Sequence, residues 1–154
     1  MMEKDGREFK HIVRIAGTDL DGTLKVPYAL ARIKGVGIRL GWVIARLLGL
    51  DPDMRIGYIT EEEAKKVEEV LKDPVAFGVK PWLVNRQRDP ETGRDMHLIG
   101  ADLDLRVKMD IDLMQKIKCW RGIRHALGLK VRGQKTRTTG RRGMTVGVVK
   151  RRKK

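Results

Sequence analysis

The chain has 154 residues, of which 41% are hydrophobic, 5% aromatic and 35% charged, and its formal net charge is +14. This length allows one domain with a modest core, and no stretch approaches the ~20 apolar residues of a membrane-spanning helix. The polar N-terminus predicts no secretory signal and the single cysteine excludes an internal disulfide, so we expect a soluble, cytoplasmic protein.

The stretch GTDLDGTL at residues 17–24 resembles the D-x-D-G-T motif of haloacid-dehalogenase-type phosphatases. In that family the residues at the positions of Asp19 and Asp21 are a nucleophile and a general acid. The motif must end a strand of a parallel sheet, and such a sheet requires strands and helices to alternate. Only residues 9–16 favour a strand or extended arm here, and the sequence that follows is helical. We therefore predict that both aspartates lie in a loop and are not catalytic.

Three short helices are predicted in the N-terminal half of the chain. Residues 24–35 favour the first helix, with Gly35 placed to end it. Residues 38–48 carry apolar side chains at helical spacing and indicate the second helix. Thr60 and Glu63 match a capping box, in which each side chain binds the other residue's backbone N–H, so a third helix is expected to begin there.

The second half of the chain changes character twice. Alternating apolar residues on both sides of a turn-forming run predict a β-hairpin inserted at about 75–101. A long helix over 102–118 and a short helix over 120–127 are expected next. The fold class is therefore mainly α, with a helical body over 1–128 and an extended basic tail over 129–154.

Charge is distributed unevenly along the sequence. Residues 1–112 contain 19 Lys and Arg against 20 Asp and Glu, whereas residues 113–154 contain 15 Lys and Arg and no acidic residue. Such a cationic segment repels itself, and a polyanion would remove that repulsion while releasing counterions. Nucleic acid is the favoured partner. A membrane ranks second, because the segment has no sustained apolar stripe, and a merely solubilising or targeting tail remains an alternative.

Other candidate sites are weak. Gly35 and Gly37 flank a turn between two helices, which can either be purely structural or leave helix N–H groups free for a phosphate near Arg39. The three histidines and Cys119 do not form a metal-binding pattern, and we expect Cys119 to be a small buried apolar residue. No catalytic, metal or cofactor site is predicted.

The strongest stretch is CWRGIRHALGLKVRGQKTRTTGRRG at residues 119–143. Arg121 and Arg124 are three residues apart on a short helix and can share one face with His125, and guanidinium groups suit phosphate oxygens and exposed bases. Gly133 and Gly140 would allow the backbone to approach RNA closely. The Gln and Thr side chains between them can hydrogen-bond to phosphate or 2′-hydroxyl groups.

Within that stretch, RGIRHALGLKVRGQKTRT closely resembles the signature of the S-thirteen family of small-subunit ribosomal proteins. The segment RIAGTDLDGTLKVPYALARIKGVG is similar to that family's N-terminal part, with its helix-two-turns-helix unit. Thr139, Gly140 and Arg141 stand where bacterial members usually carry Asn-Ala-Arg, and the 75–101 insertion is absent from those members. Both departures indicate the archaeal and eukaryotic branch.

The resemblance implies a structural, non-enzymatic role in the head of the small ribosomal subunit. The implied partners are small-subunit ribosomal RNA, a neighbouring protein of the nineteenth family, the large subunit through an intersubunit bridge, and peptidyl-site tRNA. The implied tRNA-proximal residues are Lys150, Arg151, Arg152, Lys153 and Lys154. The implied ribosomal-RNA-binding residues are Gly35, Gly37, Arg39, Arg121, Arg124, His125, Lys130, Arg132, Gln134, Lys135, Thr136, Arg137, Thr138, Arg141 and Arg142.

One enzymatic alternative remains besides the phosphatase. Helix-two-turns-helix and glycine-rich hairpin units also occur in DNA-repair glycosylases. Those enzymes present a catalytic amine or carboxylate beside a base pocket. The sequence offers no plausible nucleophile of that kind and no second large domain, so this alternative ranks below an RNA-binding role.

Overall fold

The computed structural model describes residues 8–140. These residues form two units, one up to Arg106 and one from Val107 onward. The mainly helical class is confirmed. The elements are β1 (Ile12–Ile15), β2 (Thr18–Asp21), α1 (Val26–Leu30), α2 (Ile38–Leu47), α3 (Glu61–Lys72), α4 (Gly100–Lys116) and α5 (Trp120–Ala126), with 3-10 helices at Ile56–Tyr58 and Pro81–Leu83.

Strands β1 and β2 form an antiparallel hairpin at the start of the first unit. The side chains of β1 alternate between solvent and interior, so Val13 and Ile15 point into the core. Val13 pairs with Leu20, which is also buried. Gly17 supplies a positive φ of 72° at the turn, where a glycine is unstrained.

Helices α1 and α2 pack closely because of one glycine. A Cβ atom added to Gly41 of α2 would lie 2.7 Å from the carbonyl oxygen of Pro27 in α1. Helix α1 is shorter than predicted and ends at Leu30, since Ile33 and Val36 donate to carbonyls three residues earlier in successive tight turns. The fully buried apolar side chains of this unit include Ile15, Leu20, Leu30, Ile33, Ile44, Ile56, Val67, Val70 and Leu71.

Helix α3 begins as predicted. The N–H of Glu63 donates to the Thr60 hydroxyl at 3.3 Å, and the Thr60 N–H donates to the Glu63 carboxylate at 2.9 Å. The capping box is therefore complete. The Glu68 carboxylate also accepts the N–H of Ala16 at 2.7 Å, which ties α3 to the turn between β1 and β2.

The segment at 75–101 turns back on itself, but it does not contain the two strands that we predicted. Antiparallel pairing there is a single bridge between Arg86 and Met96. Beyond it, the amide side chain of Asn85 replaces the backbone ladder by donating to the Leu98 carbonyl at 2.7 Å and accepting the Leu98 N–H at 2.9 Å. Side-chain hydrogen bonds therefore take the place of the strand pairing expected from alternation.

The second unit has very little interior of its own. Among its described residues, Gly122 is the one that is buried. A Cβ at Gly122 would lie 2.1 Å from the Met114 carbonyl oxygen, so α5 crosses the end of α4 with backbone against backbone. Large apolar side chains stay exposed around this crossing, namely Leu113, Ile117, Trp120, Ile123 and Leu127.

Candidate nucleic-acid interface

The predicted binding residues fall into three parts of the chain. Gly35, Gly37 and Arg39 belong to the first unit, and the residues from Arg121 to Thr138 belong to the second. The remaining predicted residues lie outside the described part of the chain, and they are Arg141, Arg142, Lys150, Arg151, Arg152, Lys153 and Lys154.

The first unit uses Gly35 for internal packing. Gly35 has a φ of 98°, and a Cβ there would lie 2.4 Å from the Leu98 carbonyl oxygen. The neighbouring Lys34 carbonyl accepts the N–H of Gly100 at 2.9 Å. Of the two alternatives for this turn, the structural one therefore has direct support at Gly35.

Gly37 is placed differently, at the N-cap of α2. Its φ of −97° and ψ of 165° are extended, and a Cβ there would meet nothing within 4 Å. The first N–H groups of a helix have no acceptor within the helix, and the helix dipole makes this end partly positive. Arg39 is exposed beside it. Open space at Gly37 and an exposed Arg39 therefore leave room for an anion at this end of α2.

Helix α5 carries the predicted signature, and its start is built by Cys119. The Cys119 sulfur accepts the N–H of Gly122 at 3.4 Å, and its thiol donates to the Met114 carbonyl at 3.4 Å. The prediction of a small buried apolar residue is therefore wrong. Cys119 is half-buried and acts as the N-cap, because it must satisfy backbone groups at the crossing of α4 and α5.

Arg124 holds the following segment against α5. Its Nε donates to the Lys130 carbonyl, and its guanidinium lies 5.7 Å from the centre of the Trp120 ring. The Leu129 N–H donates to the Arg124 carbonyl at 2.8 Å, and Gly128 ends the helix with a φ of 63°. Arg124 thus has a positioning role that the sequence pattern did not reveal, whereas Arg121 is exposed.

The described part of the tail, 129–140, contains no helix or strand but makes local contacts. The Thr139 hydroxyl donates to the Lys135 carbonyl, and Lys130 Nζ lies 3.4 Å from the same hydroxyl. Gly133 and Gly140 have φ values of 68° and 77°, which a side chain rarely adopts. The exposed polar side chains of this segment are Lys130, Arg132, Gln134, Lys135, Thr136, Arg137, Thr138 and Thr139.

Several cations of the first unit, though not all of them, are paired with carboxylates. In the first unit, Lys10, Lys25 and Lys34 form ion pairs with Glu61, Asp53 and Asp104. In the second unit no Asp or Glu follows Asp112, and Lys130, Arg132 and Lys135 form no ion pair with any described residue. Their positive charge is available to an external anion.

The structure also contains a buried charged cluster that the sequence analysis missed. Asp89 is 1% exposed and accepts from Arg86 Nε, from Arg106 at 2.7 Å and from the Thr92 hydroxyl at 3.0 Å. The hydrogen bond from Arg86, followed by those from Arg106 and Thr92, holds the pKa of Asp89 well below its ordinary value, although burial opposes this. The sequence signal was weak, because Asp89 and Arg106 are 17 residues apart.

The phosphatase-like aspartates do not form a catalytic pair. They lie on β2 of the antiparallel hairpin, so their predicted loop position is wrong. Asp21 accepts the N–H and the hydroxyl of Thr23 at 2.9 and 2.7 Å, and these two hydrogen bonds lower its pKa. Asp19 lies 3.9 Å from Arg14. Each carboxylate thus serves a local turn or surface contact.

Metal binding and membrane insertion find no support in residues 8–140, the described part of the chain. No three His, Cys, Asp or Glu side chains in this range are grouped in a way that would hold a metal ion. No helix in this range has the length and apolar character to cross a membrane.

A mainly helical fold with a basic segment that is exposed over residues 129–140 is typical of a protein that binds a polyanion. The chain belongs to the family described as "Ribosomal protein S13/S18", whose family model matches residues 14–142. This membership confirms the resemblance found in the sequence. It also excludes the glycosylase and phosphatase alternatives, because the family consists of structural proteins of the small ribosomal subunit.

Individual relatives agree with this family. The protein named small ribosomal subunit protein uS13 from Staphylothermus marinus is 61% identical over 147 residues, which cover 96% of this chain and 97% of the relative. The proteins of the same name from Hyperthermus butylicus and Methanopyrus kandleri are 55% and 53% identical, and each match covers at least 94% of this chain and 97% of the relative. All three are archaeal, as the two sequence departures indicated.

Proposed function

We propose that this protein is a structural component of the head of the small ribosomal subunit that binds small-subunit ribosomal RNA through its acid-free C-terminal region. The proposal rests on Lys130, Arg132 and Lys135. These three cations are exposed and form no ion pair with any described residue. Family membership supports the ribosomal setting, which is cytoplasmic.

The mechanism is charge neutralisation combined with positioning. Each lysine or arginine that meets a phosphate releases a condensed counterion, and this release provides affinity without base specificity. Arg124 binds the Lys130 carbonyl and so holds the start of the basic segment against α5. Gly122 allows α5 to pack closely against the end of α4. The segment therefore leaves the folded part of its unit in a defined direction. Gly37 and Arg39 would add a phosphate contact at the α2 N-terminus.

The finer partners are those that the resemblance to the S-thirteen family implies. The exposed apolar side chains around the α4–α5 crossing suit a protein neighbour, which we assign to the nineteenth-family protein of the head. The body would contribute to an intersubunit bridge with the large subunit. The final basic residues, from Lys150 to Lys154, would approach peptidyl-site tRNA.

The test is RNA binding by full-length variants over a range of salt concentrations. The variant Lys130→Gln, Arg132→Gln, Lys135→Gln removes three exposed cations. We expect the slope of log affinity against log salt to become shallower by about 2–3, because each lost phosphate contact removes about 0.7–0.9 from the slope. Filter binding to purified small-subunit ribosomal RNA measures this slope.

A control variant separates this effect from total charge. It removes three exposed cations from α3, with the substitutions Lys65→Gln, Lys66→Gln and Lys72→Gln. We expect the control to keep the wild-type slope, and circular dichroism should show the same helix content for all three proteins. Equal slopes for both variants would mean that the C-terminal region does not make the RNA contact.

A further inference from the structure

The loop around Trp82, residues 80–95, combines an exposed aromatic side chain, a strained backbone position and a buried charged anchor. Trp82 is 70% exposed although it is a large aromatic side chain. Arg88 has a φ of 48°, a conformation that is strained for an L-residue with a side chain. The loop is also held rigidly by a buried carboxylate, Asp89. Strain and rigidity in an exposed loop are typical of a surface that is shaped for a partner.

Trp82 is presented to solvent by its neighbours. It lies on a 3-10 helix, Pro81–Leu83, between the buried side chains of Val79 and Val84. Its carbonyl accepts from the Gln87 side chain at 3.2 Å, which links this helix to the next turn of the loop. The backbone at Trp82 is therefore held in place by these contacts, so the indole stays exposed to solvent.

The acidic residues of the loop are committed to internal partners. Asp89 binds Arg86 and Arg106, and Glu91 binds Arg106 at 2.7 Å. The Asp95 carboxylate accepts the N–H of Arg88 at 2.7 Å and thereby holds the strained turn. The cations that remain exposed, and that form no ion pair with any described residue, are Lys80, Arg88 and Arg94.

We propose that this loop is a second RNA-docking surface, on which an unpaired base stacks against Trp82 while Lys80, Arg88 and Arg94 contact the adjoining phosphates. The loop carries both an exposed aromatic ring and exposed cations that form no ion pair with a described residue. These are the two requirements of single-stranded RNA, a stacking platform and a positive surface. A protein partner fits less well, because the core of a protein interface is depleted of charged residues, whereas this loop carries three exposed cations. The inference rests on the proposed binding of ribosomal RNA.

Substitutions at Trp82 test the stacking. In full-length protein, we expect Trp82→Ala to weaken binding to purified small-subunit ribosomal RNA about 5- to 150-fold, which is the range measured for base–aromatic stacking. Trp82→Phe keeps a ring and should retain most of the affinity. Wild-type affinity for Trp82→Ala, with unchanged circular dichroism, would overturn the proposal.

The cations are tested separately with a matched control. We expect Lys80→Gln, Arg88→Gln, Arg94→Gln to make the salt slope shallower by about 2–3. The α3 control with the same charge loss should leave the slope unchanged; it carries Lys65→Gln, Lys66→Gln and Lys72→Gln. A slope equal to that of the control would refute the phosphate contacts.

Ultraviolet cross-linking of assembled small subunits identifies the partner directly. Mass spectrometry should find a nucleotide adduct on the peptide that contains Trp82. A protein cross-link at that peptide, or an unmodified peptide, would reject RNA as the occupant. If the loop variants bind normally while the Lys130, Arg132, Lys135 variant is weakened, only this inference fails. If both sets bind normally, the proposed function fails as well.

Discussion

Gly122→Ala is the sharpest test of how the basic segment is positioned. The added Cβ would lie 2.1 Å from the Met114 carbonyl oxygen, 2.4 Å from its carbonyl carbon and 2.7 Å from the Gln115 nitrogen. These are backbone atoms, so no side chain can move aside. Helix α5 must retreat by about 1 Å before the closest contact reaches 3.0 Å. That retreat also stretches the 3.4 Å contact between the Cys119 sulfur and Met114.

The expected magnitude follows from two opposing effects. Overpacking of this kind typically costs about 1–3 kcal/mol. Alanine is favoured over glycine inside a helix by about 1 kcal/mol. We therefore expect the substitution to destabilise the packing of α5 by up to about 2 kcal/mol, with a further loss from the weakened Cys119 cap.

Hydrogen exchange of the amides at 122–129 measures this change locally, and exchange should accelerate by up to about 30-fold. The variant Ala126→Gly calibrates helix propensity alone, because that side chain is exposed. Binding to ribosomal RNA should weaken in parallel, since Arg124 and Lys130 move with α5. Exchange that slows about fivefold, as propensity alone predicts, would refute the close approach of α5 to α4.

Two further predictions concern the first unit. Gly35→Ala should lower the free energy of unfolding by about 1–3 kcal/mol in urea titration, because the added Cβ would lie 2.4 Å from the Leu98 carbonyl oxygen. Gly37→Ser should be nearly neutral, because a Cβ at Gly37 meets nothing within 4 Å. His97 is buried and its Nδ1 accepts the Asn85 N–H at 3.3 Å, and burial lowers its pKa below the ordinary 6.5. The unfolded chain therefore binds the proton more readily, so stability should fall as the pH drops below 6.5 and stay constant above it with respect to this group. His97→Gln should reduce this fall between pH 7.5 and pH 5.5 in urea titration, and an unchanged pH dependence would show that His97 is not the group responsible.

Some features could be predicted because their physical cause is local or additive. The capping box needs only Thr60 and Glu63, which are three residues apart. The separation of charge at Asp112 is a property of composition, and packing does not alter it. The signature at residues 119–143 identified the family for the same reason, since it is a matter of residue order.

Other features were predicted wrongly or missed because they depend on segments that meet only in the folded chain. The alternation of apolar and polar residues at 75–101 indicated two paired strands. In the structure, the Asn85 side chain instead binds both the N–H and the carbonyl of Leu98. Cys119 was expected to be apolar, and its cap role depends on where Met114 lies. The exposure of Trp82 could not be seen in the sequence, where an aromatic residue near valines indicates a core position.

Residue order and content were enough to establish the helical class, the family and the acid-free cationic end, because these depend on local spacing and composition. Which groups are exposed to a partner depends on the folded chain. The tertiary structure placed Gly35 against Leu98, enclosed Asp89 between Arg86 and Arg106, and left Trp82 in solvent. Burial and hydrogen bonding bring together segments that are distant in sequence. The role of a side chain therefore depends on which segments surround it in the folded chain.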